Sequence, residues 1–248
     1  MKSDSNARDL DKAAQLGDAS YVWRMGQRRR FRIIQEAAGV LLEGCILENG
    51  CGIGIYIERL SRIANTVIGL EFDHPRAVEA RQRGEHILNA TGENLPFPDN
   101  SFDIILSHEV IEHIHDDKQA ISEIVRALRT GGRLILFCPN RGYPFETHGI
   151  FLRGRYRFGN IPIVNYLPHW WRDKLAPHVR VYTKRDLNRL FENKPVRIVS
   201  RTIIFGAYDN IIARWPNWGR FLRAFLQGLE NTPLRIFGLS HVWVVEKL

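Results

Sequence analysis

The sequence predicts an α/β protein: a mainly parallel, seven-stranded sheet with helices on both faces and an aromatic, basic insertion after the fifth strand. Three observations carry this expectation. Short apolar runs alternate with helix-period segments between residues 27 and 138, the rhythm of βαβ crossovers. A glycine-rich turn joins the first apolar run to the helical segment after it. The 248 residues, 44% of them hydrophobic, are enough to bury one sizeable core.

Residues 1–26 read as a polar N-terminal arm and 27–248 as one domain. Phe31, Ile34, Ala38, Leu41 and Leu42 form one stripe, which predicts a helix over 27–42 that Gly44 closes. Residues 45–49 form the first strand and 53–63 a helix behind the glycine turn. Residues 66–71 form the second strand, and Pro75 opens the next helix, where its fixed φ suits the first turn. Residues 86–90 and 102–107 are the third and fourth strands. Ala120, Ile121, Ile124, Val125 and Leu128 predict an amphipathic helix over 117–129 with Gly131 as its stop, before a fifth strand at 133–138. The alternation then ends. Residues 141–182 are too long for a routine connection. Thr183 caps a helix reaching about Asn193, and strands follow at 196–205 and 241–246. Between them Trp215, Trp218, Phe221, Leu222, Phe225, Leu226 and Leu229, with Arg214, Arg220 and Arg223, make an amphipathic pattern interrupted near Pro216. It is expected to be a core helix or a subunit contact rather than a membrane anchor.

Composition narrows the classes. Cys45, Cys51 and Cys138 lie in or beside apolar runs without metal-ligand spacing, which predicts reduced thiols and no disulfide framework. No signal-peptide pattern and no spanning apolar run is present, so the expected location is cytoplasmic, with peripheral membrane contact left open. The formal charge of +8 is local. Ten Lys/Arg against three Asp/Glu fall between Arg141 and Arg189, leaving twenty-five against twenty-four elsewhere. Such an excess suits nucleic acid, anionic lipid or a phosphorylated substrate, or is a solvated face.

The chemistry concentrates in Ile46-Leu47-Glu48-Asn49-Gly50-Cys51-Gly52-Ile53-Gly54. Three alternate glycines after a strand allow a sharp turn and close approach to a ligand at the carboxyl edge of the sheet. The dinucleotide fingerprint requires a further glycine where Ile55 or Ile57 stands. Glu48 is poor company for a pyrophosphate but suits a cationic amino-acid ligand. Glu71 ends the second strand, where a carboxylate can accept ribose hydroxyls.

On these motifs residues 45–140 resemble the class I S-adenosylmethionine-dependent methyltransferases, especially the branch with quinone-biosynthesis and small-molecule enzymes. Segment 48–54 is similar to the family's acidic-x-G-x-G-x-G motif, and Val67-Ile68-Gly69-Leu70-Glu71 to its second-strand motif. Gly92-Glu93-Asn94-Leu95-Pro96-Phe97 resembles the segment flanking the adenine site, with Thr91 where the family often has Asp. Phe102–Ser107 followed by Glu109-Val110-Ile111-Glu112-His113 resembles the fourth strand and its "E-H" turn. Leu128-Arg129-Thr130-Gly131-Gly132 resembles the entry to the fifth, with Thr130 replacing Pro. The resemblance implies a Rossmann-like fold and S-adenosyl-L-methionine as cofactor. It implies cofactor contacts at Glu48, Gly50, Cys51, Gly52, Gly54, Glu71, Phe72, Gly92, Glu93, Asn94, Ser107 and His108.

Methyl transfer from a sulfonium needs position, a dry cavity and a proton acceptor, and it demands no metal. The segment after the fifth strand offers Tyr143, Glu146 and His148 over the acceptor pocket. His148 is the expected general base, with Glu146 orienting it or contacting substrate. His113, at the family's position beyond the fourth strand, is a further catalytic candidate or a scaffold histidine; His108 is similarly ambiguous, and His115 belongs to the solvated start of the next helix. Aromatics interleaved with Arg153, Arg155, Arg157, Arg172 and Arg180 suit an anionic small-molecule or lipid-linked acceptor, or form a small satellite core. The expected reaction is O-methylation. An RNA methyltransferase is the alternative, disfavoured because no appended RNA-binding module is recognisable. A non-catalytic cofactor-binding member of the fold is the other.

Overall fold

The computed structural model describes residues 25–248. The expected arm therefore lies outside the described residues except for its last two positions, which open a helix. Seven strands form one sheet: β1 (Cys45–Asn49), β2 (Thr66–Glu71), β3 (His86–Asn89), β4 (Phe102–His108), β5 (Leu128–Pro139), β6 (Val196–Ile204) and β7 (Ser240–Lys247). Their order is β6-β7-β5-β4-β1-β2-β3. Only β7 runs against its neighbours, pairing antiparallel with β5 and β6. The chain fills one side of β1 and then crosses to β4, so the order reverses between these two strands. That reversal opens a crevice at their carboxyl ends.

The main helices are α1 (Met25–Ala38), α2 (Ile55–Leu60), α3 (His74–Ala80), α4 (Asp117–Ala127), α5 (His169–Leu175), α6 (Lys184–Leu190), α7 (Asp209–Arg214) and α8 (Pro216–Gly228). Successive strand residues enter opposite cores, as the period of two requires. Ile46, Ile104, Ile135 and Phe137 pack with Ile34 of α1, Ile57 of α2 and Ala77 of α3. Leu47, Ile105, Leu134 and Leu136 pack with Ile121 and Ile124 of α4 and Leu187 of α6. Each such fully buried Leu or Ile contributes about 1.5–3 kcal/mol. Caps set the helix starts. Asp73 accepts from the Arg76 N–H ahead of α3, and Asp116 from the Gln119 N–H ahead of α4. Thr183 and Asp186 form a reciprocal capping box on α6.

Several bounds shift for local reasons. β5 begins at Leu128 rather than 133, because Leu128 pairs with Phe102 before the ladder slips and resumes at Ile104 with Arg133. Gly131, at φ +79°, sits in that slip. The helix expected over 117–129 accordingly ends at Ala127. The helix after the glycine turn is short, Ile55–Leu60, and the first helix tightens into a 3₁₀ turn over Gly39–Glu43.

The insertion is a small unit of its own. Residues 145–146 pair with 161–162, and 150–152 with 155–157. It buries Ile150, Val164, Ala176 and Val179, with Arg172 among them.

The aromatic pattern near the C-terminus is corrected. α8 is not a core helix: only Gly219 is buried, while Trp218, Phe221 and Phe225 are exposed. A Cβ at Gly219 would lie 2.7 Å from the Ile212 Cα. Close packing on α7 therefore uses the glycine side of the helix and leaves the aromatic ridge outside.

Candidate cofactor and acceptor site

The glycine turn leaves β1 with Gly50, Gly52 and Gly54 at φ +78°, +54° and +82°, a region that disfavours any side chain. The Gly50 and Cys51 N–H groups donate to the Leu70 carbonyl of β2. Glu71, at the end of β2, accepts from the Gly52 N–H at 2.8 Å and from the Asp73 N–H at 2.9 Å. A carboxylate has lone pairs to spare beyond these two bonds. A Cβ at Gly50 would strike the Val110 Cγ2 at 2.4 Å, so the turn after β4 lies directly on the glycine turn. A Cβ at Gly92 would lie 3.2 Å from the Asn49 amide, which brings the loop after β3 to the same place.

Beneath these loops lie polar side chains that the protein itself leaves unsatisfied. Glu48, Asn49 and Ser107 are almost wholly buried. The Glu48 Oε2, both Asn49 amide atoms and the Ser107 hydroxyl have no hydrogen-bond partner among the described residues. Burial, with the neighbouring Glu71, raises the Glu48 carboxyl well above its ordinary range. Buried polar groups ordinarily find partners, so this set leaves hydrogen-bonding capacity for a polar ligand.

The other predicted cofactor residues are placed differently. Phe72 is largely exposed beside Glu71. Glu93 accepts from the His115 N–H, tying the β3 loop to the turn after β4, and Asn94 is exposed. Cys51 is buried, and all three cysteines are free thiols. His108 packs between Tyr56 and Phe137, and Arg30 of α1 donates to its Nε2. Burial and the Arg30 charge push its pKa down to about 3, so its ring is neutral and engaged with the scaffold.

A second cluster joins the insertion to the turn after β4. Glu146 receives the His148 N–H and pairs with the His148 Nδ1 at 3.1 Å through one oxygen. Its other oxygen accepts from Arg172 at 2.7 Å, and acid and guanidinium are 1% and 2% exposed. Burial works to raise the Glu146 carboxyl, but the His148 bonds and the Arg172 charge bring it down to about 2. With Nδ1–H pointed at a carboxylate, the lone pair of His148 is on Nε2. The His113 ring meets the His148 ring edge-on, with centroids 5.4 Å apart. Its Nδ1 lies 3.2 Å from the His178 carbonyl oxygen, and burial beside His148 lowers its pKa to about 4. Glu112 lies here too, buried, with neither oxygen hydrogen-bonded among the described residues, and burial beside Glu109 raises its carboxyl well above normal. Glu112, His113 and His148 bring one donor atom each within 4.8 Å of one another, a set that could hold a cation. The insertion is fastened to this turn by Arg180, which donates to the Ile114 and His115 carbonyls, and by Tyr182, which donates to that of Ile111.

Residues 47–136 match the family model described as a methyltransferase domain. The chain carries a methyltransferase domain. Over 128 residues it is 38% identical to a protein of Mycolicibacterium smegmatis described as a probable S-adenosylmethionine-dependent methyltransferase, covering 51% of this chain and 48% of that one. Over 192 residues it is 27% identical to a ubiquinone biosynthesis O-methyltransferase of Dictyostelium discoideum, covering 70% of this chain and 56% of that one. The chain thus spans about half the length of these relatives. An S-adenosylmethionine-dependent methyltransferase of Mesorhizobium loti shares the fold, with a TM-score of 0.61 at 17% identity over 87% of this chain and 96% of that one. The cofactor of the domain is S-adenosyl-L-methionine.

The residues present fit that cofactor. The glycine turn offers backbone N–H groups without Cβ obstruction, Glu48 offers a carboxylate for a cationic methionine end, and Glu71 stands where ribose hydroxyls would lie. Asn49, Glu112, Arg172 and His178 stand in these two clusters, and the sequence does not single them out as contacts. Asn49 lies within the glycine segment 48–54 and Glu112 within the segment 109–113. Arg172 and His178 had no signal beyond a basic, aromatic stretch, because an arginine reads as exposed until its buried partner is known.

Proposed function

We propose that the chain transfers the methyl group of S-adenosyl-L-methionine to an oxygen of a small-molecule or lipid- or glycan-intermediate acceptor, with His148 as proton acceptor. The observation that carries this reading is the buried relay Arg172–Glu146–His148 beside the cofactor-binding turns. When bound, the cofactor supplies an electrophilic methyl on a sulfonium, a built-in leaving group. With the cofactor bound, His148 Nε2 would accept the proton of the acceptor hydroxyl, whose oxygen would then be free to take the methyl group. Glu146 fixes the tautomer and steadies the imidazolium, and Arg172 holds Glu146 ionised. His113 walls the pocket beside His148. Relatives described as O-methyltransferases, including a malonyl-[acyl-carrier protein] enzyme of Buchnera aphidicola, support oxygen as the acceptor atom. The basic, aromatic insertion favours an anionic acceptor.

The test is methyl transfer from labelled cofactor into fractionated cell extract, lipid fraction included, with S-adenosylhomocysteine affinity measured separately. His148→Ala should lower labelling by roughly a hundredfold or more while retaining cofactor affinity. Wild-type labelling by His148→Ala removes the proposed base. Loss of labelling on adding a chelator, with recovery on a divalent cation, would instead make Glu112, His113 and His148 a ligand set.

A further inference from the structure

α8 carries a ridge of aromatic rings: Trp218, Phe221 and Phe225 are 59%, 61% and 56% exposed, and Trp215 just before the helix is 53% exposed. The rings follow one another along the helix, with centroids 5.7 Å apart for Trp218–Phe221 and 6.4 Å for Phe221–Phe225. Aromatic side chains of this kind bury about 150–250 Å² each when covered. Four that are more than half exposed leave on the order of 400 Å², as large as the largest patch on an ordinary monomer. The turn that follows, Pro233–Phe237, exposes Leu234 and Ile236 as well.

Charge on the same segment has one sign outward. Arg214, Arg220, Arg223 and Arg235 make no ion pair among the described residues, and Arg214 lies 4.8 Å over the Trp215 ring. The two acids of the segment are held inward. Asp209 accepts from the Gly26 N–H, and Glu230 pairs with Arg29 and accepts from the Phe205 N–H. A two-fold contact between copies would set these unpaired arginines against one another. An anionic bilayer supplies what both features lack, phosphates for the guanidinium groups and an apolar boundary for the rings.

We propose that the α7–α8 hairpin docks the chain on the surface of an anionic lipid bilayer, with the aromatic ridge in the headgroup boundary and the arginines on lipid phosphates. No described helix is long and apolar enough to cross a membrane, so the helix lies in the plane of the surface. The proposal does not depend on which acceptor is methylated.

Flotation of the full chain with vesicles tests it. Phosphatidylcholine vesicles containing phosphatidylglycerol should carry the protein to the top of the gradient, and pure phosphatidylcholine vesicles should carry far less. Arg220→Gln with Arg223→Gln removes two surface charges and should weaken partitioning about 30-fold. Trp218→Ser with Phe221→Ser and Phe225→Ser should weaken it by on the order of a hundredfold. S-adenosylhomocysteine affinity, unchanged in both, certifies the fold. Failure of the full chain to float with anionic vesicles overturns the proposal. So does sedimentation as a dimer that the three serines dissociate, or flotation that neither variant reduces.

Discussion

The glycine turn can be tested with a single methyl group, because its three glycines differ in what surrounds them. Gly52 has φ +54°, and a Cβ added there meets no protein atom within 4 Å. Gly52→Ala therefore pays only the left-handed backbone term, about 1–2 kcal/mol. In a protein of this size that lowers Tm by roughly 2–8 °C. Gly131 has φ +79° and equally open surroundings, but it lies at the entry to β5, the opposite edge of the sheet. Gly131→Ala thus carries the same backbone term without the location. If the open space at Gly52 belongs to the cofactor, its new methyl must overpack the bound nucleoside by roughly 1–3 kcal/mol. That is about 5- to 150-fold in Kd. The assay is calorimetry with S-adenosylhomocysteine beside thermal melts of both variants. The expected pattern is similar melting, weakened binding for Gly52→Ala and unchanged binding for Gly131→Ala. A Gly52→Ala protein that binds within twofold of wild type refutes the placement of the cofactor on this turn. Gly50→Ala cannot serve, since its Cβ would strike Val110 at 2.4 Å and confound folding with binding.

Two further outcomes follow from buried charge. Burial and Arg30 depress His108 to about 3, whereas an unfolded chain binds that proton near pH 6.5. Stability from this group is complete above that pH and is lost as pH falls toward 3, with a slope of up to about 1.4 kcal/mol per pH unit. Urea midpoints of wild type and His108→Gln across this window should show a flatter dependence in the variant; parallel curves reject the assignment. Burial and Glu71 raise the Glu48 carboxyl, so its protonated form persists above the ordinary carboxylate range and a cationic ligand should expel that proton. Cofactor binding should release a proton in that range and tighten as pH rises. Calorimetric heats that do not change with the ionisation enthalpy of the buffer contradict this, and Glu48→Gln should abolish the buffer dependence.

Much of the scaffold was readable because its signals are local and repeated. Ile46 and Leu47, or Ile104 and Ile105, can face two cores only if both faces of the sheet are covered, and the unbroken apolar runs said so. The glycine spacing placed the turn, and Glu71 ended a strand within hydrogen-bonding reach of it. Three features were not legible, each because it depends on tertiary neighbours. The ladders of the insertion are two or three residues long, too short to carry a period. Arg172 is buried by a partner 26 residues away, and no pattern joins it to Glu146. The 214–229 pattern showed that one face is apolar, but amphipathicity does not say what covers that face. The glycine that turned the ridge outward sits on the opposite side of the helix.

The two halves of the site come from different parts of the chain, and this division has a consequence for specificity. Glu48, Asn49, Gly52, Glu71 and Ser107 belong to the ends of β1, β2 and β4 and to the turns that follow them, positions set by the sheet itself. Glu146 and His148 belong to the insertion, and their geometry depends on the pairing of residues 145–146 with 161–162 and on Arg172 from α5. Glu112 and His113 meet them from the turn after β4, which also packs Val110 on Gly50. That turn is thus in contact with both halves. On the proposed function, changes within 150–170 should reshape the acceptor side and leave cofactor affinity intact, because the described contacts of the glycine turn come from β2, the turn after β4 and the loop after β3. A change at Val110 acts on both. Val110→Ala opens space against Gly50 and loosens the seat of Glu112 and His113, so it should weaken S-adenosylhomocysteine binding and turnover together, whereas Arg172→Lys should depress turnover alone. Equal loss of cofactor affinity in both variants would mean that the halves are not separable, and the division drawn from the topology would fail.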